Sequence, residues 1–467
     1  MIGERSCVKS MVPKRVYIVT MGCQMNVYDS EQMERSLESL NYSPTSHMDK
    51  ADLIILNTCS IREKAEHKVY SYLGRLARMK RQRPDLIIGV GGCVAQQEGY
   101  RLIERAPHVD MVFGTLAVKR LVGLMEQVET GTSPVVDVDQ TGTVEPSHKA
   151  PSASQAGRAT AYVTIMSGCD NFCTYCVVPY VRGREVSRTP GGIVEEIEQL
   201  VARGVQEVTL LGQNVNAYGL INGQGCDFPT LLEKVARVKG LKRLRFTTSH
   251  PKDLSDQLIG AFARLETLVP HIHLPVQCGA DRILKRMNRG YTRDYYLARI
   301  EKLRQARPEI ALTSDIIVGF PGEEEKDFDE TLSLVKAVGF DNLYTFKYSD
   351  RPKTLAARFS PKVSDAVKRE RFARLLALQS QMTLDKHRSL LGTIQEVLVE
   401  GTSKKMGHQM TGRTPCNKVV NFSDGTARVG HLVSVEIVDA FSHSLLGSPV
   451  TDSRPHSGHK GGILHAA

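Results

Sequence analysis

The sequence predicts an α/β chain in three parts: an N-terminal parallel sheet of βαβ units, a central (βα)6-type partial barrel, and a small C-terminal all-β barrel. Three observations predict it. Strand-like apolar runs alternate with helical stretches over residues 14–128. The same alternation recurs six times over residues 159–387. From residue 388 short β-branched runs follow one another with only glycine-containing turns between them. Strands alternating with helices pair in parallel through right-handed crossovers, whereas short strands joined by tight turns close into barrels or sandwiches.

In the first part the strand runs are Val16–Thr20, Leu53–Asn57 and Leu86–Val90, with helices over Asp29–Leu40 and Ile61–Lys80. Residues 129–158, rich in Ser, Thr, Gly and Pro, read as a flexible linker. The barrel strands are Tyr162–Met166, Glu207–Gln213, Arg243–Ser249, His271–Gln277, Ala311–Phe320 and Asn342–Tyr348, each followed by a helical stretch, and active sites in such folds gather at the carboxyl ends of the strands. The last part, residues 388–451, offers Thr393–Val399, Lys418–Phe422, Ala427–Val429 and Leu432–Val438 as strands, and residues 452–467 read as a disordered tail.

The bulk composition restricts the function classes. A chain of 467 residues has ample core volume, and 41% apolar and 24% charged residues are ordinary for a soluble protein. No run approaches the ~18 apolar residues of a membrane span, and MIGERSCVKSMVPKR lacks a secretory apolar region, so a cytoplasmic protein without membrane contact is expected. Ten cysteines then favour metal or redox chemistry over disulfides. A formal net charge of +10 suits a polyanionic partner without requiring one.

The deciding motif follows the first barrel strand, in GCDNFCTYCVVPYVRGRE. Cys169, Cys173 and Cys176 are spaced C-x3-C-x2-C. Thiolates hold [4Fe–4S] clusters, usually four at a time; three close ligands leave one iron open, as catalytic metal sites leave a position open. Zinc would want a fourth Cys or His nearby, and the next twenty residues contain none. Cys23, Cys59 and Cys93 each stand just beyond an expected strand, where ligands gather in open parallel sheets, and Gly22, Gly91 and Gly92 would permit close backbone approach. Position alone leaves two readings open, a shared ligand site or three buried, inert thiols. Cys7, Cys226, Cys278 and Cys416 read as non-ligands.

The central motif, with Tyr175 before its last cysteine, resembles the radical S-adenosylmethionine (SAM) superfamily. Together with MGCQMN, NTCSIREKAEHKVYSYLGRL and GGCVAQQEG, it resembles the methylthiotransferase family. The resemblance implies two [4Fe–4S] clusters: one on Cys169, Cys173 and Cys176, coordinated with SAM, and one on Cys23, Cys59 and Cys93 that holds sulfur. One branch of the family acts on an adenosine of tRNA and another on an aspartate of a ribosomal protein; LLGQNVNAYG, RFTTSHP, HLPVQCGADRILKRMNRGYTR and GRTPCNKVVNF resemble the former. This implies methylthiolation at C2 of N6-dimethylallyladenosine at position 37 of tRNA, one SAM donating methyl and a second supplying a radical. A sulfur source and a reducing electron donor are implied, with an anticodon stem-loop as substrate and a monomeric enzyme. The likeness covers residues 14–441 with small departures, such as Lys353 and Leu355 in YSDRPKTLAA.

The C-terminal barrel corresponds to the TRAM domain, a small RNA-binding module. Lys404, Lys405, Arg413 and Lys418 lie in one stretch without an acidic residue among them and are the expected phosphate contacts. Arg62–Arg83, eight basic residues against two acidic, reads either as a solvated helix or as an RNA face. Asp281–Arg299, with Tyr291, Tyr295 and Tyr296, could stack on bases or belong to the core. GFPGE at residues 319–323 and Gln213–Asn214 fall at strand ends, and His271 and His273 read as structural histidines.

Overall fold

The structure is a computed structural model that describes residues 13–60, 63–141, 157–220, 225–403, 407 and 409–450, with side chains of the helix over residues 63–82 described from residue 68. It forms two compact units, divided between Thr383 and Leu384.

The first unit contains one six-stranded sheet, two three-stranded sheets and a two-stranded hairpin. Its N-terminal sheet has the order β2-β1-β3-β4-β5-β6, with β1 Lys14–Thr20, β2 Tyr42–Pro44, β3 Leu53–Thr58, β4 Ile87–Gly92, β5 Met111–Phe113 and β6 Val135–Asp137, all parallel. β3 is buried at all six residues because both faces are covered: Leu53 and Ile55 enter one core, Ile54 and Leu56 the other. The helices are α1 Gln24–Glu38, α2 Glu63–Gln82, α3 Cys93–Glu98, α4 Tyr100–Arg105 and α5 Leu121–Glu129. α1 starts five residues before the expected Asp29. β6 lies inside the stretch read as linker, where Val135 is buried in the sheet; three residues are too few to show a strand period.

Two three-stranded parallel sheets follow. The first combines β7 Thr160–Thr164, β10 Glu207–Leu211 and β11 Arg243–Phe246; the second combines β12 His271–His273, β13 Ala311–Val318 and β14 Asn342–Lys347. A parallel bridge from Leu244 to Leu268 continues one toward the other. These are the six barrel strands expected. Two short strands, β8 Met166–Ser167 and β9 Val186–Ser187, pair antiparallel and hold the base of the loop between them. Within that loop lies α6 Val178–Val181. The outer helices are α7 Pro190–Ala202, α8 Phe228–Ala236, α9 Asp256–Arg264, α10 Asp281–Arg286, α11 Arg293–Ala306, α12 Glu325–Val338 and α13 Asp365–Arg388. Their apolar faces bury Ile197, Leu231, Phe262, Leu303 and Leu334 against strand residues Val163, Leu210, Leu244 and Ile316.

The second unit is a closed five-stranded barrel of order β15-β16-β17-β19-β18. Its strands are β15 Ile394–Thr402, β16 Met410–Arg413, β17 Val419–Phe422, β18 Leu432–Ala440 and β19 Leu445–Pro449. Val397, Val399, Val420, Phe422, Val435 and Ile437 fill it. Ala427–Val429, expected as a strand, is a turn: the Asp424 carboxylate accepts from the backbone N–H groups of Thr426 and Ala427 and holds it out of the ladder. β16 and β19 are the strands the sequence did not announce. No described helix is long and apolar enough to cross a membrane.

Candidate active site at two thiol triplets

The register of the N-terminal sheet brings Cys23, Cys59 and Cys93 to one edge. Thr58 and Gly92 are ladder partners, and Cys59 and Cys93 are the next residues. Thr20 pairs with Asn57, and the chain turns through Met21 and Gly22 to Cys23. Gly22 has φ +107°, and a Cβ there would lie 2.2 Å from the Cys59 Cβ, so only glycine lets the two loops meet. Cys23 is the N-cap of α1 and Cys93 the first residue of α3, which turns two helix N-termini toward the thiols. Buried amides fix these loops. Asn26 Nδ2 donates to Thr58 O (2.8 Å) and Asn57 Oδ1 (3.2 Å), and Asn57 Nδ2 donates to Ser30 Oγ (2.9 Å). The Cys23 thiol is pulled down to about 6, first by a hydrogen bond from Cys59, with the Arg182 charge aiding against burial. Burial pushes Cys93 up.

Cys169, Cys173 and Cys176 occupy the loop between β8 and α6. Gly168 has φ +82°, and a Cβ there would stand 1.9 Å from the Arg184 carbonyl oxygen, so the loop folds tightly on the chain returning to β9. The loop is tied to the barrel: Thr174 N donates to Met287 O (3.0 Å) and Asn288 Nδ2 to Asn171 O (3.2 Å). Asn171 Nδ2 lies 3.5 Å from Cys169 Sγ. Burial, and then repulsion from neighbouring thiolates, pushes Cys169 up to about 11 and Cys176 up to about 12. Arg289, a buried residue, donates to Cys173 Sγ (3.4 Å), Tyr175 Oη (3.4 Å) and Pro275 O (2.7 Å).

The two triplets lie close together. Cys93 packs against Val177 and Val181, the residue after Cys176 and the residue before Arg182. Thr115 Oγ1 donates to Val181 O (2.7 Å), pinning α6 to the N-terminal sheet. Arg182, buried, donates to Asp29 Oδ2 (2.7 Å) and hydrogen-bonds toward Cys93. Behind it, Arg188 and Arg35 share one carboxylate, Glu196, at 2.7 and 3.6 Å; Tyr28 Oη reaches the same carboxylate at 3.3 Å.

Among the described residues no three Cys, His, Asp or Glu side chains are arranged to hold a single metal ion. A cluster spreads its thiolates over separate irons instead of gathering them around one, and each donor set here consists of three thiols. Around the central triplet, buried polar atoms have no hydrogen-bond partner among the described residues: Ser167 Oγ, Glu185 Oε1, Asn214 Oδ1, Ser249 Oγ and His250 Nε2. All sit at carboxyl ends of barrel strands or on the β8–β9 hairpin, and a polar ligand is what such groups require. His250 Nδ1 accepts from Lys252 N (3.3 Å), which leaves the proton on Nε2; burial and the Arg289 charge keep the ring neutral. Burial, with Asp170 and Asp253 adding, pushes Glu185 up to about 7. Of this set the sequence drew attention only to Asn214. Arg182, Arg289, Glu185 and His250 were not read as site residues, although VRGRE and TTSHP mark where they lie. GFPGE is a turn whose Glu323 accepts from Gly319 N and pairs with Arg371. His271 and His273 both meet Thr313 Oγ1, as structural residues do.

The expected RNA contacts fare unevenly. Lys404, Lys405 and Arg62 lie outside the described residues. Arg413 is in β16, not in a loop, and its Nε is 3.3 Å from Glu400, an acid that the local stretch did not reveal. Lys418 immediately precedes β17. In α2, Lys80 turns toward Asp110, and just beyond the helix Arg83 pairs with Asp52, whereas Lys68, Arg75, Arg78 and Arg81 are exposed. The Asp281–Arg299 segment is largely occupied internally: Arg282 meets Asp327, Arg299 meets Asp256, and Tyr296 is core, its hydroxyl donating to Leu274 O (3.0 Å). Tyr295 remains partly exposed.

Comparison with known proteins follows the same divisions. Residues 15–114 match the family described as Uncharacterized protein family UPF0004, residues 163–335 the Radical SAM superfamily, and residues 388–450 the TRAM domain. A tRNA-2-methylthio-N(6)-dimethylallyladenosine synthase of Desulfosudis oleivorans is 50% identical over 469 residues, covering 97% of this chain and 100% of that protein. One of Geobacter metallireducens is 52% identical over 436 residues, covering 93% and 98%. Among solved structures, the radical S-adenosylmethionine methyltransferase TsrM from Kitasatospora setae, with cobalamin and a [4Fe-4S] cluster bound, is 14% identical with a TM-score of 0.55, covering 82% of this chain and 81% of that chain, a likeness of fold. With this identity over nearly its whole length, the chain belongs to the family of the tRNA-2-methylthio-N(6)-dimethylallyladenosine synthases.

Proposed function

We propose that this chain is a tRNA methylthiotransferase that converts N6-dimethylallyladenosine at position 37 to its 2-methylthio derivative, with Cys169, Cys173 and Cys176 as ligands of a SAM-binding [4Fe–4S] cluster and Cys23, Cys59 and Cys93 as ligands of a second. The observation that carries the reading is the meeting of two three-thiol sets across α6, where Cys93 packs on Val177 and Val181. When bound, the clusters and SAM supply reductive cleavage of a sulfonium to a carbon radical, together with the methyl group and the sulfur to be transferred.

The chain's own residues bind and exclude water. Cys59, Cys93 and Cys173 are buried and Cys23, Cys169 and Cys176 half-buried, which limits the access of solvent to reactive species. The Arg289 guanidinium stands against Cys173 and offsets thiolate charge there. Neutral His250 offers an N–H, and Ser167, Ser249 and Asn214 offer hydroxyl and amide groups, to a polar ligand at the strand ends. The adenine C2–H must reach that pocket, so the base has to leave its stack; an anticodon loop already exposes its bases. The substrate is the anticodon stem-loop, the TRAM barrel contacts phosphates, and a separate sulfur source and electron donor serve the monomeric, cytoplasmic enzyme.

Mass spectrometry of tRNA nucleosides from cells lacking the gene, complemented with wild-type chain or with either triplet changed to Ala, tests this. The methylthio-adenosine should return only with the wild type. Its return with either triple variant overturns the assignment of the two triplets, and its persistence in the deletion overturns the substrate.

A further inference from the structure

The arginine buried between the two triplets carries more than packing. We propose that Arg182 is a positioning residue that poises the N-terminal cluster: a cation delivered by the radical-forming half of the chain, it raises that cluster's reduction potential. The inference rests on Cys23, Cys59 and Cys93 being ligands of a [4Fe–4S] cluster.

Geometry supports it in three ways. The Arg182 side chain is 6% exposed, so its charge is scarcely screened by water. Its Nη2 is fixed on the outer side by Asp29 Oδ2 at 2.7 Å and by Asn26 Oδ1 at 3.5 Å, and Asn26 also lies 3.6 Å from Cys23 Sγ. The guanidinium thus ties Asp29 on one side to the Cys93 thiol on the other, and its charge acts on Cys23 and Cys93 more strongly than that of Asp29. Finally, Arg182 ends the segment that begins at Cys176, and the residue before it packs on Cys93. Asp29 and Arg182 nearly cancel at long range, but at the thiols the cation dominates.

A cluster held by three thiolates becomes more negative when it takes up an electron. A buried cation beside it favours the reduced state, and an anion disfavours it; charge near the cluster is one of the levers that set such potentials. Removing Arg182 must lower the potential, and removing Asp29 must raise it. A residue that only packed α6 against the sheet would give no such reversal of sign.

The test uses the full-length chain with Cys169, Cys173 and Cys176 changed to Ala, reconstituted with iron and sulfide so that only the N-terminal cluster is present, and titrated with dithionite and mediators under electron paramagnetic resonance. Arg182→Met should shift the midpoint potential downward, Arg182→Lys should keep most of the wild-type value, and Asp29→Asn should shift it upward, all at unchanged iron content. Shifts of the same sign in Arg182→Met and Asp29→Asn, or no shift, overturn the proposal. If Arg182→Met fails to hold iron, Asp29→Asn decides alone: a potential that does not rise overturns it. A parent chain that takes up no cluster overturns the ligand assignment and the inference with it, a result distinguishable from an intact cluster with an unmoved potential.

Discussion

Glu196 is a carboxylate shared by two buried guanidinium groups, so Glu196→Gln is an informative change to the packing of the N-terminal sheet on the barrel. The substitution keeps the shape and a group that can bond Tyr28 Oη, and it removes only the charge. Arg188 (2.7 Å) and Arg35 (3.6 Å) then lose this counter-charge, with side chains 0% and 2% exposed. Each attraction at such a distance is about 4 kcal/mol at an effective dielectric of 20. The carboxylate's relief from desolvation and the weaker bond to Gln offset part of that, leaving the roughly 3–5 kcal/mol typical of breaking a buried pair. At about 2 °C per kcal/mol for a large chain, the melting midpoint of the full-length protein should fall by about 6–10 °C in calorimetry. Adding Arg188→Met to Glu196→Gln removes one of these buried cations and should return part of the loss. A shift of less than about 1 kcal/mol in the single variant, or strict additivity in the double variant, would refute the reasoning.

Three further substitutions and one labelling experiment follow from the same geometry. Gly22→Ala drives a Cβ to within 2.2 Å of Cys59 Cβ; iron analysis and electron paramagnetic resonance should show the N-terminal cluster lost and the central one kept. Arg289→Met removes the donor 3.4 Å from Cys173 Sγ; a charge-assisted bond of ~1.5–3 kcal/mol implies a drop of about tenfold or more in 5′-deoxyadenosine released on anaerobic reduction with SAM, and an unchanged yield refutes that role. In metal-free protein at pH 7, iodoacetamide should modify Cys23, lowered to about 6, before Cys169 and Cys176, raised to about 11 and 12, as read by peptide mass spectrometry. Because the folded value of Cys23 lies below the ordinary 9.0, its contribution to stability is present above pH 9 and is lost as pH falls through about 6. Lys404→Ala with Lys405→Ala should flatten the salt dependence of tRNA binding by about 0.7–0.9 for each phosphate no longer neutralised; an unchanged slope rules out that pair as phosphate ligands.

The parts of the fold that were legible in the sequence are those with long apolar runs. β3, buried at all six residues, and β13, eight residues long, announce themselves. Strands of three residues such as β2, β5 and β6 do not, because a period of two needs more positions to show. The start of α1 was hidden for another reason: its buried residues include Asn26, Ser30, Glu31, Gln32, Arg35 and Ser36. Interleaved with Met25, Tyr28, Met33 and Leu37, these polar residues blur the apolar stripe from which helices are read, and here they meet amides and the ion network around Glu196. The thiols were legible as spacing and as strand ends. Arg182, Arg289 and His250 were not, since charged and polar residues are read as surface until a structure shows which of them are enclosed. Asp281–Arg299, which left base stacking and core both open, places Tyr296 in the core, while Arg282 and Lys285 stay exposed.

Only five residues separate Cys176 from Arg182, four of them in α6. One residue added there would rotate everything beyond it by about 100° and advance it by about 1.5 Å, turning the arginine away from the thiols it faces. Loops elsewhere on the surface tolerate changes of length; this segment works as a ruler with one permitted setting. A graft of either thiol triplet onto another scaffold would have to carry this segment at its native length.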